Sequence, residues 1–195
     1  VSILTLVMNP DCMPTYTDAL LAEIASRYYA VQSPPRLFRD SPYQNADNLF
    51  CDPMIGVPSN WIYMSSGNDL HHSSKDTIDK LDPRSLRDVS VIAALYLYYI
   101  ADAGFEDIAF LADITRDRGM GLVLDEYRRQ MTRLRDAADG ESLGRLVYEG
   151  SRAIIHNADV REQAVYSIGR IVPPGKRQEA HSFLEQHASK IDKLG

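Results

Sequence analysis

Cysteine is nearly absent from this chain. Cys12 and Cys51 are the only two among 195 residues, too few for a disulfide framework, and the sequence leaves open whether they pair. Long apolar runs are missing too. The best candidate, Val89 to Ala103, is interrupted by Tyr96, Tyr98, Tyr99 and Asp102, so no bilayer-spanning helix is expected. No stretch carries a signal-peptide pattern, which makes a soluble protein the expectation and leaves its compartment open. An excess of basic charge is lacking: 21 Lys and Arg stand against 27 Asp and Glu, for a net charge of −6. That excludes a global attraction to nucleic acid or to anionic membranes, and neither is an expected partner. Several local signatures are also missing: no Gly-x-Gly-x-x-Gly, no Walker loop, no His-Glu-x-x-His and no Gly-x-Ser-x-Gly. Gly119-Met120-Gly121 is too short to cradle a phosphate and reads as a helix break.

What remains is an ordinary globular composition, 45% apolar and 25% charged, on a length that suits one good-sized domain or two small ones. The chain opens at Val1 on the apolar stretch Val1 to Met8, which predicts a buried strand. An apolar strand at the very start points to missing neighbours and so to a piece of something longer, a processed mature chain being the alternative.

Two regions differ in character. Residues 1–104 hold eight of the ten prolines and the single tryptophan, and break into short strands, loops and helices. Asn9-Pro10-Asp11 predicts a turn, and Pro14-Thr15 opens a helix with Leu20, Leu21, Ile24 and Tyr28 at helical spacing. Gln32 to Tyr43 reads as a proline-rich loop, and Asn45 to Pro53 as a second polar loop or short helix. Trp61 to Met64 reads as a second buried strand, with Trp61 in the core. Asp82-Pro83 predicts an N-cap and first helical position for a helix to Ala103. Leu86, Val89, Ile92, Ala93, Tyr96 and Ile100 form its packed face, and Gly104 its C′ residue.

Residues 105–195 predict helices near 105–117, 120–138, 141–157, 159–171 and 174–193, punctuated by Gly119, Gly140 and Pro173-Pro174-Gly175. Arg128, Arg129, Arg133 and Arg135 read as solvated faces with i,i+4 pairs such as Asp125 with Arg129, because 14 basic groups meet 15 acidic ones in this region. His156, His181 and His187 lie on predicted helices and read as surface or packing residues.

The chemistry gathers in the run His71-His72-Ser73-Ser74-Lys75-Asp76-Thr77-Ile78-Asp79-Lys80-Leu81-Asp82-Pro83. It places a possible metal ligand at the end of a loop, supplies acidic and hydroxyl groups beside it, and closes on a helix start. Upstream, in order, stand Asn9-Pro10-Asp11 with Pro14; Asn45-Ala46-Asp47-Asn48 followed by Phe50; and Asp52-Pro53-Met54-Ile55-Gly56-Val57-Pro58. Together with His72-Ser73-Ser74-Lys75-Asp76-Thr77, this order resembles the C-terminal half of the catalytic domain of zinc-dependent aminopeptidases, the co-catalytic two-zinc exopeptidases. There a Gly-Ser-Asp-His-like segment precedes a phenylalanine, a Gly-(Ile/Val)-Pro strand follows, and a Tyr-His-Thr-x-x-Asp-Thr loop gives the last metal ligand. The likeness covers roughly residues 1–104.

The resemblance implies an α/β fold: residues 1–104 as the C-terminal portion of a three-layer α/β/α zinc-exopeptidase domain with a mixed sheet, and residues 105–195 as an all-helical extension. It implies zinc as cofactor and a peptide as substrate, cleaved at its N-terminal bond. His72 matches the metal ligand, with His71 where the family has tyrosine and Ser73 where it has threonine. Asp76 and Thr77 match loop-fixing and capping groups. Asp47 matches the aspartate of the Ser-Asp-His segment, with Asn48 where a histidine often stands. Asp47, Phe50, Tyr63 and His71 are candidates for the substrate pocket rim. The family's other ligands, a histidine, a bridging aspartate, a Glu-Glu pair and a further aspartate, are expected upstream of Val1. One imidazole does not hold zinc tightly, since catalytic sites use about three protein ligands or more, so the chain alone is expected to be inactive. The alternative is a non-catalytic peptidase-like module for binding or dimerisation, with a homo-oligomer formed through the helical region.

Overall fold

The computed structural model describes residues 3–34, 36–44, 49–65, 73–137 and 143–194. The fold is mixed α/β, a small three-stranded mixed sheet with a majority of helix. The chain divides into two compact units: Val1–Met13 with Leu20–Ala103, and Pro14–Ala19 with Gly104–Gly195.

The sheet of the first unit is built around β1 (Ile3–Val7). Leu4, Thr5, Leu6 and Val7 are fully buried, as a central strand covered on both faces requires, and an apolar run encodes it better than strict alternation. β2 (Phe38–Ser41) lies parallel to β1, with Leu4 beside Phe38 and Val7 beside Ser41. β3 (Trp61–Ser65) lies antiparallel on the other edge, with Val7 beside Trp61 and Ile3 beside Ser65. β2 falls inside the stretch expected to be a proline-rich loop. Its sequence Phe-Arg-Asp-Ser has no apolar alternation, and pairing with β1 decides its conformation rather than propensity. β3 is half-buried rather than buried, and among the described residues it pairs with β1 alone.

Helix α1 (Tyr16–Ala30) follows the expected start, and Leu20, Leu21, Ala25 and Tyr29 are buried along it. Helix α2 (Pro83–Asp102) begins as the sequence predicts: the Asp82 carboxylate accepts the Arg84 N–H at 3.0 Å, with Pro83 in the first helical position. Its packed face keeps the predicted Ile92 and Tyr96, with Val89, Ala93 and Ile100 half-buried, but is shifted at its start. Ser85, Asp88, Ile92 and Tyr96 are buried, while Leu86 is exposed. The start is shifted because Asp88 has ionic partners inside the unit, described below. Gly104 does not close α2 in a left-handed conformation, for its φ is −134°. Its N–H instead donates to the Asp107 carboxylate at 2.9 Å, opening a 3₁₀ turn at Phe105–Asp107.

The second unit is helical. The break expected at Gly119 does not occur: α3 runs unbroken from Ile108 to Arg135. Ile108, Leu111, Thr115, Gly119, Val123, Glu126 and Gln130 are buried along it at steps of three and four, one continuous stripe. α4 (Leu143–Tyr166) likewise crosses the boundary expected near residue 158, where Ala158 is buried. A 3₁₀ segment (Ser167–Ile171) and a turn (Pro174–Lys176) lead to α5 (Arg177–Asp192). Ala180, Leu184, His187, Ala188 and Ile191 are buried on α5. Among the described residues, no single helix is long and apolar enough to cross a membrane.

Gly119 explains why a helix tolerates a glycine that costs about 1 kcal/mol relative to alanine. A Cβ placed there would lie 2.9 Å from Ile191 Cδ1 on α5 and 3.1 Å from Arg161 Cβ on α4. The missing side chain lets three helices meet. Gly121, two residues on, would meet nothing within 4 Å. Opposite outcomes are therefore expected in urea melts of the full chain. Gly119→Ala lowers stability by about 1–3 kcal/mol through overpacking, and Gly121→Ala raises it by up to about 1 kcal/mol. Equal shifts for the two variants would remove the packing explanation.

Candidate functional site

In open α/β sheets, ligands are taken up at the carboxyl ends of parallel strands. In the first unit that end is defined by Val7 on β1 and Ser41 on β2, and the chain returns there at Trp61 on β3. A hydrogen-bonded knot fixes it. The Asn9 side chain accepts the Ser59 N–H at 2.9 Å and donates to Asn60 Oδ1 at 3.4 Å. Asn60 Nδ2 donates to the Val7 carbonyl at 3.3 Å, and the Tyr96 hydroxyl donates to Asn60 Oδ1 at 2.7 Å. Three segments, the exit of β1, the start of β3 and α2, are thereby held together. Sequence reasoning gave Asn9 a turn role and Asn60 none. The available signal was a pair of asparagines placed just outside two strands, where amides commonly satisfy strand-end backbone groups.

Between β2 and β3, the chain forms a 3₁₀ turn at Leu49–Cys51 and a tight reversal. The Asp52 carbonyl accepts from the Ile55 and Gly56 N–H groups, both at 2.8 Å, and its carboxylate accepts from the Met54 N–H at 2.8 Å. Gly56 adopts φ +72°, a conformation that favours glycine, so the glycine of Gly56-Val57-Pro58 is demanded by the turn. The Val57 N–H then donates to the Phe50 carbonyl at 3.0 Å. Phe50 is 62% exposed. Tyr63 sits in β3 beside Thr5 and stacks obliquely on Trp61, 4.8 Å between ring centroids. Trp61 is half-buried, not a core residue. Asp47, His71 and His72 lie outside the described residues. Cys51 is buried and Cys12 exposed, and no disulfide joins them.

Downstream of the histidines, Ser73 organises the loop. Its hydroxyl accepts the Lys75 N–H at 3.2 Å and its carbonyl the Asp76 N–H at 3.1 Å. The Thr77 hydroxyl donates to the Asp79 carboxylate, which also accepts Lys80 Nζ at 2.7 Å. The hydrogen bonds from Lys80 and Thr77 hold the Asp79 carboxyl below its ordinary range. Helix capping falls to Asp82 rather than to Asp76 or Thr77.

The most strongly built electrostatic feature of this unit is one the sequence did not single out. Asp88 is fully buried. Its carboxylate accepts the Tyr28 hydroxyl at 2.9 Å, the Arg87 guanidinium at 3.0 and 3.2 Å, and Arg36 Nη1. Arg36 also reaches Ser85 Oγ at 3.3 Å. Burial, then the hydrogen bond and charge of Asp88, push the Tyr28 phenol up. Tyr29, 3% exposed, is pushed up to about 12, first by burial and then by the Asp88 charge. Its hydroxyl has no partner among the described residues.

In the helical unit, His187 is buried, with Nδ1 3.0 Å from the Phe183 carbonyl and Nε2 3.3 Å from the Asp113 carboxylate. It ties α5 to α3 as a packing residue. His181 lies edge-on to Tyr166. An open cleft of about 280 Å³ is lined by Thr15, Asp18, Thr115, Gly119, Arg118 and Arg161, among others. The buried Thr115 hydroxyl has no partner among the described residues. The cleft offers guanidinium, carboxylate and hydroxyl groups, a polar recess without an imidazole or thiol. The arginines of α3 pair at i,i+3 rather than the predicted i,i+4: Arg128 with Asp125 at 2.9 Å and Arg129 with Glu126 at 2.8 Å. Among the described residues, no three His, Cys, Asp or Glu side chains converge as a metal ion would need.

Tyr29 yields a two-part expectation. The folded protein keeps its phenolic proton to about pH 12, whereas an unperturbed phenol releases it at 10.0. Its contribution to stability is therefore complete below pH 10 and is lost as the pH rises toward 12. Tyr29→Phe is expected to remove that share of the alkaline loss. It should also raise stability at pH 7 by about 1 kcal/mol, since it deletes a buried unpaired hydroxyl. Thermal melts of both proteins at pH 7 and pH 11 check this, and a destabilised Tyr29→Phe at pH 7 would contradict it. The chain matches no family model, no curated protein and no solved structure.

Proposed function

We propose that this chain is the C-terminal part of the catalytic domain of a zinc-dependent exopeptidase, followed by a helical extension. The reaction is hydrolysis of an N-terminal peptide bond, and the larger domain is of the three-layer α/β/α kind. The observation that carries the reading is the path of the chain from β2 to α2. The Gly56-Val57-Pro58 turn delivers β3 beside the carboxyl end of β1, and the Ser73–Thr77 loop feeds the Asp82-capped α2. The motifs follow one another along the sequence in the order the resemblance describes, which is what supports the reading.

The described residues do not by themselves form a metal site, and the proposal assigns only His72 to zinc. When bound in a complete site, zinc polarises a scissile carbonyl and lowers the pKa of its water. Asp47, Phe50, Tyr63 and His71 are assigned to the pocket rim. Phe50 supports that assignment by standing exposed beside the Gly56 reversal.

A second reading, a non-catalytic module for binding or dimerisation, is favoured by α2. From Val89 to Ala101, every residue except Ser90 is apolar or tyrosine, yet Leu95, Leu97 and Tyr98 are exposed. A helix apolar all round is ordinarily buried all round.

The test uses the polypeptide encoded by the whole reading frame that contains these residues, purified with zinc and assayed on leucine p-nitroanilide. The proposal expects turnover and bound zinc, and a fall of about 100-fold or more in rate, with loss of zinc, in His72→Gln. Zinc content and rate unchanged by His72→Gln would refute the ligand assignment. A protein that neither binds zinc nor turns over would leave the binding-module reading in place.

A further inference from the structure

The helical unit contains a cleft that no step of the peptidase reading uses. Every residue lining it belongs to that unit. It is open to solvent, about 280 Å³, and its wall is built from Thr115, Arg118 and Gly119 on α3, Arg161 on α4, and Thr15 and Asp18 at the start of α1. Gly119 lets the two arginines share it. With no side chain there, α4 approaches until an added Cβ would lie 3.1 Å from Arg161 Cβ, one residue from Arg118.

The lining is richer in donors than in acceptors. Asp18 and both arginines already have neighbours with which they interact. Two guanidinium groups nevertheless carry more N–H donors than the oxygens of one carboxylate can accept. Thr15 Oγ1 accepts the N–H and the hydroxyl of Thr17, both at 3.4 Å, so its own proton is directed elsewhere. Thr115 is 3% exposed, and its hydroxyl has no partner among the described residues, an arrangement that costs stability unless something else supplies the bond. The positive end of the α1 dipole lies at the same place, since Thr15 and Asp18 both line the cleft.

We propose that this cleft is a binding site for a short-chain monocarboxylate. A planar guanidinium fork matches the two oxygens of a carboxylate, and the hydroxyls of Thr15 and Thr115 complete the set of donors. The charge balance, two arginines against Asp18, suits one negative charge rather than two. A phosphate dianion would set its second charge against Asp18, which is 9% exposed and little screened by water. Leu122 and Ala164 also line the cleft and give a few apolar carbons a place beside the carboxylate. Neither zinc nor His72 has any part in this site.

The experiment is a titration of the full 195-residue chain with sodium butyrate at pH 7, followed by amide NMR, with sodium chloride and sodium phosphate at matched ionic strength as comparisons. Butyrate is expected to bind saturably with a dissociation constant of about 1 mM, the scale that roughly six non-hydrogen atoms can reach. The shifts are expected to centre on the amides of 115–119 and 161–164. Arg118→Gln and Arg161→Gln should each weaken binding by about tenfold or more, while Arg128→Gln, at an exposed position on the same helix, leaves it unchanged. Thr115→Val, nearly isosteric, should raise thermal stability without ligand and weaken butyrate binding by about tenfold. It keeps the test decisive if an arginine variant fails to fold. No saturable shift with butyrate overturns the proposal. So do shifts centred elsewhere, binding that Thr115→Val and Arg161→Gln both leave intact, and chloride or phosphate binding as tight as that of butyrate.

Discussion

β1 is paired along both of its edges, parallel to β2 and antiparallel to β3, and that double pairing fixes where each later segment of the sheet unit starts and ends. A strand bonded on both sides carries two ladders of backbone hydrogen bonds, and a slip would break the pairing on both edges at once. The register sets Ser41 and Trp61 on either side of Val7. The nineteen residues between them must leave and return at one end of the sheet, and the Gly56 reversal is the means. Asn60 completes the arrangement by accepting the Tyr96 hydroxyl and donating to the Val7 carbonyl, so α2 is registered against the same strand end.

The helical unit obeys a different constraint. Its helices are long because their buried stripes are continuous, and continuity at the crossing points is obtained with small residues. Gly119 admits Arg161 and Ile191 at distances where a Cβ would collide, and Gly150 admits Gln130, whose Cβ would lie 3.4 Å from an added methyl. Read along the sequence alone, glycine inside a helical pattern looks like punctuation. Read against the neighbouring helices, it is a contact residue. That is why a break was expected at Gly119 where α3 runs on.

The parts of the fold legible in the sequence were those encoded locally. β1 announced itself as an apolar run, α1 by Pro14-Thr15 and its helical spacing, and α2 by Asp82-Pro83, whose cap geometry is entirely local. β2 was hidden, because nothing in Phe-Arg-Asp-Ser prefers a strand until β1 supplies the hydrogen bonds. The candidate site divides the same way. The Gly56 turn was visible as a motif, whereas the Asn9, Asn60 and Tyr96 knot joins residues up to 53 apart, or 36 for the tyrosine, and no spacing rule reaches across such distances. The packed face of α2 was read correctly from Val89 onward but not at its start, for a related reason. Leu86 obeys the apolar pattern and is exposed, while Asp88 violates it and is buried. Asp88 does share a face with Ile92 and Tyr96 at steps of four, which was the one available clue.

Asp88 also shows how a buried charge is to be interpreted. A carboxylate inside a protein invites a catalytic role, because acid–base chemistry uses acids in unusual surroundings. Acid–base work, however, requires an oxygen left open to a substrate. Both oxygens of Asp88 are engaged, one by Arg36 and the other by Tyr28 and Arg87, and the side chain is out of solvent. An ion already saturated with donors ties elements together: α1 through Tyr28, the segment before β2 through Arg36, and α2 through Asp88 itself. Its removal would take the shared partner from two guanidinium groups and a phenol, and with Arg36 and Arg87 22% and 54% exposed the cost is about 1–3 kcal/mol. Asp88 has no oxygen left for a substrate and serves to hold the sheet unit together.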